Sequence, residues 1–260
     1  MNQTRALITL TNEESKRLIA KGIAHLPIVK KALETGIVGF CVCSSARYVA
    51  EEILMRKMPQ MAPYICGYLN REGLFALPKS ETKNQLVLIN GKETWLDWPK
   101  ENLGRYVKKM DSKDIIIKSG NILDKNNRAA TLVGLSNGGE YGKYLPYILS
   151  RGITLIVPMT INKSILFDLE EVIPEMGITK FPFNRTYGEA CGLLPLPGIV
   201  FTEIDAFSIL TDCRALPVAV GGVADGQGCV SLVLIGDEAS IDKAWDLVES
   251  IKGEPSIYLV

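Results

Sequence analysis

The sequence lacks several features that would assign it at once to a functional class. Lys and Arg number 29 and Asp and Glu number 29, so the formal net charge is zero and the basic excess typical of nucleic-acid binders is missing. No window reaches the roughly 18 uninterrupted apolar residues of a spanning helix, and the N-terminus lacks the pattern of a secretory signal. We therefore expect a cytoplasmic protein that binds neither nucleic acid nor a membrane.

Histidine is almost absent, and the cysteines are not spaced for metal binding. His25 is the single histidine, so a nucleophilic triad would have no other histidine base. The six cysteines include no CxxC pair, and a zinc site would have to be built almost entirely from thiolates. The sequence predicts reduced, mostly buried thiols and no metal site.

What the chain does contain is an alternation of helical and strand-like segments. Residues 11–35 have apolar residues at helical spacing, with Thr11 or Asn12 as the cap, and Pro27 is expected to kink the helix or to split it in two. The apolar run 37–43 predicts a buried strand, and residues 46–57 are helical again. Further along, Asn90-Gly91 predicts a two-residue hairpin turn among short β-rich runs between 64 and 98. The remaining predicted elements are a helix over 99–110, strands over 114–119, 131–135 and 153–159, and a helix over 140–150.

Apolar strands alternating with helices indicate an α/β fold with a mostly parallel sheet covered on both faces. We predict a three-layer, Rossmann-like ligand-binding domain over residues 1–165 and a connector over 166–200. Residues 201–260 follow the order α-β-β-α-β, with the last strand at 255–260, which suits a smaller ferredoxin-like α+β domain. Strands exposed in the 64–98 region and in the tail could pair between subunits, so we expect a homo-oligomer.

Ligands bind such sheets beyond the carboxyl ends of the strands, which places the candidate site in the loops after strands 37–43, 114–119 and 131–135. The turn Cys43-Ser44-Ser45 opens a helix, where free backbone N–H groups and two hydroxyls could hold a phosphate or carboxylate. Capping of the helix by a serine is expected as well. Lys118 ends a buried strand, where its ammonium needs an anion or solvent.

The second candidate loop, residues 134–142, contains four glycines that allow a ligand to approach the backbone closely. Glu140 in this loop is a candidate base or nucleophile, or an acid that complements the dipole of the helix it begins. The loop has neither a P-loop nor a dinucleotide-binding spacing, so no cofactor is predicted. The predicted ligand-binding residues of both loops and the strand end between them are Cys43, Ser44, Ser45, Lys118, Asn121, Ser136, Asn137, Gly138 and Gly139.

Three segments, residues 32–53, 113–124 and 134–158, resemble in outline the superfamily that contains ribose-5-phosphate isomerase, glucosamine-6-phosphate deaminase and coenzyme A transferases. Cys43-Ser44-Ser45 stands where the isomerase has its phosphate-binding turn. Lys118-Ser119-Gly120-Asn121 stands at its acidic catalytic motif, and residues 134–137 replace a loop that carries a lysine. The resemblance implies the fold, the ligand cleft and a preference for small anionic ligands.

Three functions stay open from the sequence. One is an enzyme similar to sugar-phosphate isomerases that binds a small phosphorylated or anionic molecule, with Glu140 transferring protons. Another is acyl or coenzyme A transfer with Glu140 as the nucleophile. The third is a sensor that binds the same ligands without catalysis.

Overall fold

A computed structural model describes residues 3–58, 65–76, 83–180 and 185–256. The protein is a mixed α/β protein. The strands are β1 (Thr4–Leu10), β2 (Ile37–Phe40), β3 (Gly67–Asn70), β4 (Gly73–Ala76), β5 (Lys83–Ile89), β6 (Lys92–Trp98), β7 (Ile115–Ile117), β8 (Ile122–Leu123), β9 (Ala129–Val133), β10 (Thr154–Pro158), β11 (Gly192–Leu196), β12 (Ile199–Phe201), β13 (Arg214–Gly221) and β14 (Cys229–Gly236). The α-helices are α1 (Asn12–His25), α2 (Pro27–Thr35), α3 (Ser44–Leu54), α4 (Gly104–Val107), α5 (Gly139–Arg151), α6 (Leu169–Val172), α7 (Glu203–Thr211) and α8 (Glu238–Ile251).

The largest sheet has six strands in the order β12-β10-β7-β2-β5-β6. The first four run parallel to one another, whereas β5 and β6 form an antiparallel hairpin at one edge. This hairpin turns at Asn90-Gly91, where both residues have positive φ angles of 48° and 75°, as the predicted turn requires. The four parallel strands bring their carboxyl ends to one edge of the sheet.

Both faces of this sheet are buried. Alternate side chains of β7 point to opposite sides, so that Ile115 and Ile117 join one core and Ile116 joins the other. The first core contains residues of α1, α3, α7 and α8, and it continues to the small sheet of β1, β14 and β13. The second contains residues of α4 and α5. Helices therefore pack on both sides of the six strands.

Local signals set the beginnings and ends of α1 and α2 as predicted. Thr11 caps α1 in a capping box with Glu14, and Pro27 occupies the first turn of α2. The predicted helix over 99–110 is wrong in extent, because only residues 104–107 are α-helical. The backbone N–H of Leu103 donates to the side-chain oxygen of Gln85 at 2.7 Å, so a tertiary contact takes a donor that a longer helix would use internally.

The strand before the glycine-rich loop does not belong to the parallel sheet, contrary to prediction. β9 pairs antiparallel with β8 and with β11 in a separate three-stranded sheet. Only five residues, 124–128, join β8 to β9, and a connection this short cannot cross over to a parallel position. Within the segment 166–200, which was predicted as a connector, β11 completes this sheet and β12 begins at residue 199.

The N-terminal strand β1 pairs with β14 over seven residues, from Thr4↔Gly236 to Leu10↔Val230. The small sheet thus combines the first strand of the chain with two strands of the tail. The final predicted strand, 255–260, lies mostly outside the described residues. The longest described helices, α1 and α8, have 14 residues each, and no described helix has the length and apolar character needed to span a membrane.

Candidate functional site

The candidate site lies at the carboxyl ends of β2, β7, β10 and β12. Because these strands are parallel and adjacent, the segments that follow them meet at one edge of the sheet. The four segments are residues 41–45, 118–121, 159–163 and 202–203. The first two carry residues that the sequence predicted, whereas the last two contribute side chains that it did not single out as binding residues.

The turn after β2 begins α3 at Ser44, two residues before the predicted start of the helix at residue 46. Cys43 is the N-cap residue and has extended backbone angles, and its side chain does not cap the helix. The expectation that a serine caps the helix is therefore wrong, because Ser44 and Ser45 are already in its first turn. Ser45 is buried, while Cys43 and Ser44 are partly exposed. In the described part of the chain, no side chain accepts a hydrogen bond from the first backbone N–H groups of this 11-residue helix.

Lys118 follows β7 and is held by neutral oxygen atoms. Its Nζ donates to the Ser119 carbonyl oxygen at 2.8 Å and to Thr131 Oγ1 at 3.2 Å, and it lies 6.0 Å from the centre of the Tyr141 ring. Asn121 Oδ1 accepts hydrogen bonds from Thr131 Oγ1 and from the Leu132 backbone. Asn121 therefore connects the end of β7 to β9.

Lys163 follows β10 and reaches the same loop from the other side. Its Nζ donates to the Gly120 carbonyl oxygen at 2.8 Å and to Ser119 Oγ at 3.3 Å. Burial, followed by the positive charges of Lys16 and Lys118, lowers the pKa of Lys163 to about 8. Lys163 was noted in the sequence only as a charge near the loops.

Lys16, on α1, is the third cation of the site and was not predicted. Its side chain is only 6% exposed, and its Nζ lies 3.4 Å from Glu13 Oε1. Burial lowers the pKa of Lys16, and the nearby Glu13 and Cys43 oppose that shift. We refer to Lys16, Lys118 and Lys163 as the lysine cluster.

Glu203, which opens α7 after β12, is a second residue that sequence reasoning missed. It is 0% exposed, and both carboxylate oxygens accept from the Ile161 backbone N–H, at 3.1 and 3.3 Å. Burial raises the pKa of Glu203 to about 7. Glu203 thus fixes the loop that carries Lys163.

The loop 134–139 is closed by its own hydrogen bonds. Asn137 Oδ1 accepts from the Gly139 N–H at 3.0 Å, and the Gly138 N–H donates to the Leu135 carbonyl oxygen at 2.9 Å. Gly138 and Gly139 have φ angles of 74° and 66°, which favour glycine. Ser136 and Asn137 are exposed, and among the described residues no hydrogen bond joins this loop to residues 43–45.

Glu140, in the first turn of α5, is held by hydrogen bonds on the face of the sheet that α5 covers. Its carboxylate accepts hydrogen bonds from the Tyr144 hydroxyl and from Gln85 Nε2, the latter at 3.4 Å. Burial raises the pKa of Glu140, although these two bonds and the charge of Lys118 act against that shift. Each carboxylate oxygen of Glu140 thus accepts one hydrogen bond, and the charge of Lys118 also acts on this group.

The tail of the chain also contacts this edge. Asn162 Nδ2 donates to Asn12 Oδ1 at 3.1 Å and to the Gly228 carbonyl oxygen at 2.9 Å. The loop between β13 and β14 is thereby tied to the segment after β10.

Two other places offer charged groups or space. Asp124, Asp168 and Glu170 lie close enough together to hold a metal ion, but Arg128 pairs with all three. A groove of about 570 Å³ runs along α1, α2 and the end of α3. Part of its charge is neutralised within the chain, since Arg17 lies 2.9 Å from Glu52.

A cavity beside Cys43 is too small for a metabolite. It has a volume of about 10 Å³ and is lined by residues of β2, α3, β5 and β6, which gives room for about one water molecule. This cavity therefore does not accommodate the ligand that the sequence predicts.

Comparisons with protein families, curated proteins and solved structures found no match to this chain. The chemistry of the site therefore has to be inferred from its own residues.

Proposed function

We propose that the protein binds a small anionic molecule, such as a phosphorylated metabolite, at the carboxyl ends of β2, β7 and β10. The lysine cluster is the observation that supports this proposal. Lys118 and Lys163 make no ion pair with a carboxylate in the described part of the chain, and both donate only to neutral oxygens. A partly buried positive charge without a counterion favours an anion strongly.

The start of α3 supports the same ligand. Its first turn presents backbone N–H groups that no side chain among the described residues caps, and the partial positive charge of a helix N-terminus adds to that of the lysines. Cys43 acts electrostatically on both Lys16 and Lys163, which relates this turn to the lysine cluster. Ser44 is placed to add a hydroxyl to the anion.

At the level of fold, we propose that the six-stranded sheet and its two helical layers form a Rossmann-like unit. The small sheet with α7 and α8 would be the ferredoxin-like unit, with β1 as its third strand. The exposed side chains Leu7, Val218 and Val220 on that small sheet are consistent with the proposed homo-oligomer. Cytoplasmic location remains part of this proposal.

We place Glu140 in a supporting role rather than as the nucleophile of an acyl transfer. Its hydrogen bonds to Tyr144 and Gln85 hold the carboxylate on the side of α5 and lower its nucleophilicity, and no observation favours a coenzyme A thioester over other anions. Proton transfer by Glu140 to a ligand held by Lys118 stays within the proposal.

The anion site can be tested by calorimetric titration with inorganic phosphate and with ribose 5-phosphate. Replacing Lys118 by Met removes one charge-assisted hydrogen bond to the anion, worth about 1.5–3 kcal/mol, so we expect affinity to fall about 10- to 100-fold. The matched control is Lys31→Met, because Lys31 is an exposed lysine of α2 with 71% of its side chain accessible. Equal affinities of the two variants, or no binding by the unmodified protein, would contradict the proposal.

A further inference from the structure

Lys163 has no carboxylate partner for its Nζ among the described residues. The Nζ donates to two neutral acceptors, Ser119 Oγ at 3.3 Å and the Gly120 carbonyl oxygen at 2.8 Å. Lys118 donates to the carbonyl oxygen of the same Ser119 at 2.8 Å, so the two amino groups end beside one residue. A neutral amine has two N–H groups for these two acceptors and keeps its lone pair, so Lys163 can lose a proton without losing either hydrogen bond.

The charges around Lys163 and its burial give it a larger fraction of neutral amine than an ordinary lysine has. Lys16 and Lys118 repel its proton, whereas Cys43 and the buried Glu203 act in the opposite direction. Glu203 is already bonded to the Ile161 backbone. A desolvated lysine next to other cations is one arrangement that activates an amine as a nucleophile.

We propose that Lys163 forms an imine with the carbonyl carbon of a small anionic aldehyde or keto acid. This inference rests on the proposed anion site and adds the chemical class of the ligand. The lysine cluster supplies both requirements, since Lys16 and Lys118 attract the anionic group while Lys163 attacks the carbonyl carbon.

The step is balanced without any further reactant. The lone pair of Nζ forms the C–N bond as the carbonyl π electrons move to oxygen, and one proton passes from nitrogen to that oxygen. The hydroxyl group then leaves with the second nitrogen proton as water, and the C=N bond forms. Nothing is oxidised or reduced.

The imine can be trapped with glyoxylate, an anionic aldehyde, in the presence of cyanoborohydride, which delivers hydride to the imine carbon. Peptide mapping by mass spectrometry then gives the rate of modification at each lysine. At pH 7 a lysine with a pKa of about 8 has a much larger fraction of neutral amine than an ordinary lysine. We therefore expect Lys163 to react at least about tenfold faster than Lys31, with saturation as glyoxylate increases.

Three comparisons decide the result. Inorganic phosphate should slow the labelling of Lys163 and leave that of Lys31 unchanged, and Lys163→Arg should abolish the fast labelling. Labelling of Lys163 no faster than that of Lys31, in a protein that still binds phosphate by calorimetry, overturns the imine and leaves the anion site standing. Equally fast labelling by neutral acetaldehyde overturns the anionic ligand class, whereas failure of phosphate to bind at all overturns the proposed function itself.

Discussion

Replacing Lys163 by Met is expected to stabilise the fold while it weakens anion binding. The pKa of Lys163 falls from 10.5 to about 8 on folding, and at 1.36 kcal/mol per unit this corresponds to about 3 kcal/mol of destabilisation by the charged form. Solvent reaches this partly exposed side chain and reduces that destabilisation. The substitution also removes the two hydrogen bonds of Nζ, which lowers the gain in stability by about 1 kcal/mol more. We expect the variant to be about 1 kcal/mol more stable at pH 7.

The pH dependence gives the stronger test, because the lost hydrogen bonds contribute equally at all pH values. The folded-state pKa of Lys163 is lowered, so the unfolded chain binds more protons between about pH 8 and pH 10.5. The unmodified protein therefore gains stability from this residue as the pH rises through that window. The advantage of the variant should shrink over the same range.

Urea denaturation from pH 7 to pH 10, with Lys31→Met as the matched control, measures this difference. Phosphate titration of the same samples measures the loss of binding. A Lys163→Met protein that is less stable at pH 7, and whose difference from the unmodified protein does not change with pH, would refute the reasoning and assign Lys163 a structural role.

Two further predictions concern buried charges. Arg17, only 4% exposed, lies 2.5 Å from Glu51 and 2.9 Å from Glu254. Glu51 would keep Arg47 and Glu254 would keep Lys57, so Arg17→Met should cost about 1.5–3 kcal/mol for the lost charge-assisted hydrogen bonds. A loss under 1 kcal/mol in urea denaturation, against Lys31→Met, would contradict this. The pKa of Glu203 is raised from 4.5 to about 7 in the folded state, so the stability that its protonated form contributes is fully present below pH 4.5 and is lost as the pH rises through 7. Gln does not titrate, so the free energy of unfolding of Glu203→Gln should fall by about 3 kcal/mol less over this range than that of the unmodified protein. Identical stability–pH profiles of the two proteins would disprove this.

Several elements could be predicted from the sequence because their causes are local. Thr11 and Glu14 stand three residues apart and close the capping box themselves, and Pro27, which lacks the backbone N–H of a helix interior, takes the first turn of α2. Asn90-Gly91 tolerates the positive φ angles of the hairpin turn. The edge of the sheet that carries the candidate site also followed from the alternation of strands and helices.

Other elements depended on contacts that local patterns do not encode. The run 131–135 looked like one more parallel strand, but its partners are β8 and β11, and β11 begins only at residue 192. Helix α4 is shorter than predicted because the side chain of Gln85, eighteen residues earlier, accepts a hydrogen bond from the Leu103 backbone N–H.

The sequence by itself determined the capped helices, the hairpin and the position of Cys43, Ser44 and Lys118 at strand ends. Only the tertiary structure brought Lys16 from the first helix and Lys163 from the segment after β10 to the same edge. It also buried Glu203 against the Ile161 backbone. The physical reason is that the repulsion and desolvation that shift the pKa of Lys163 arise between residues far apart in the chain, and they exist only once the strands have packed side by side.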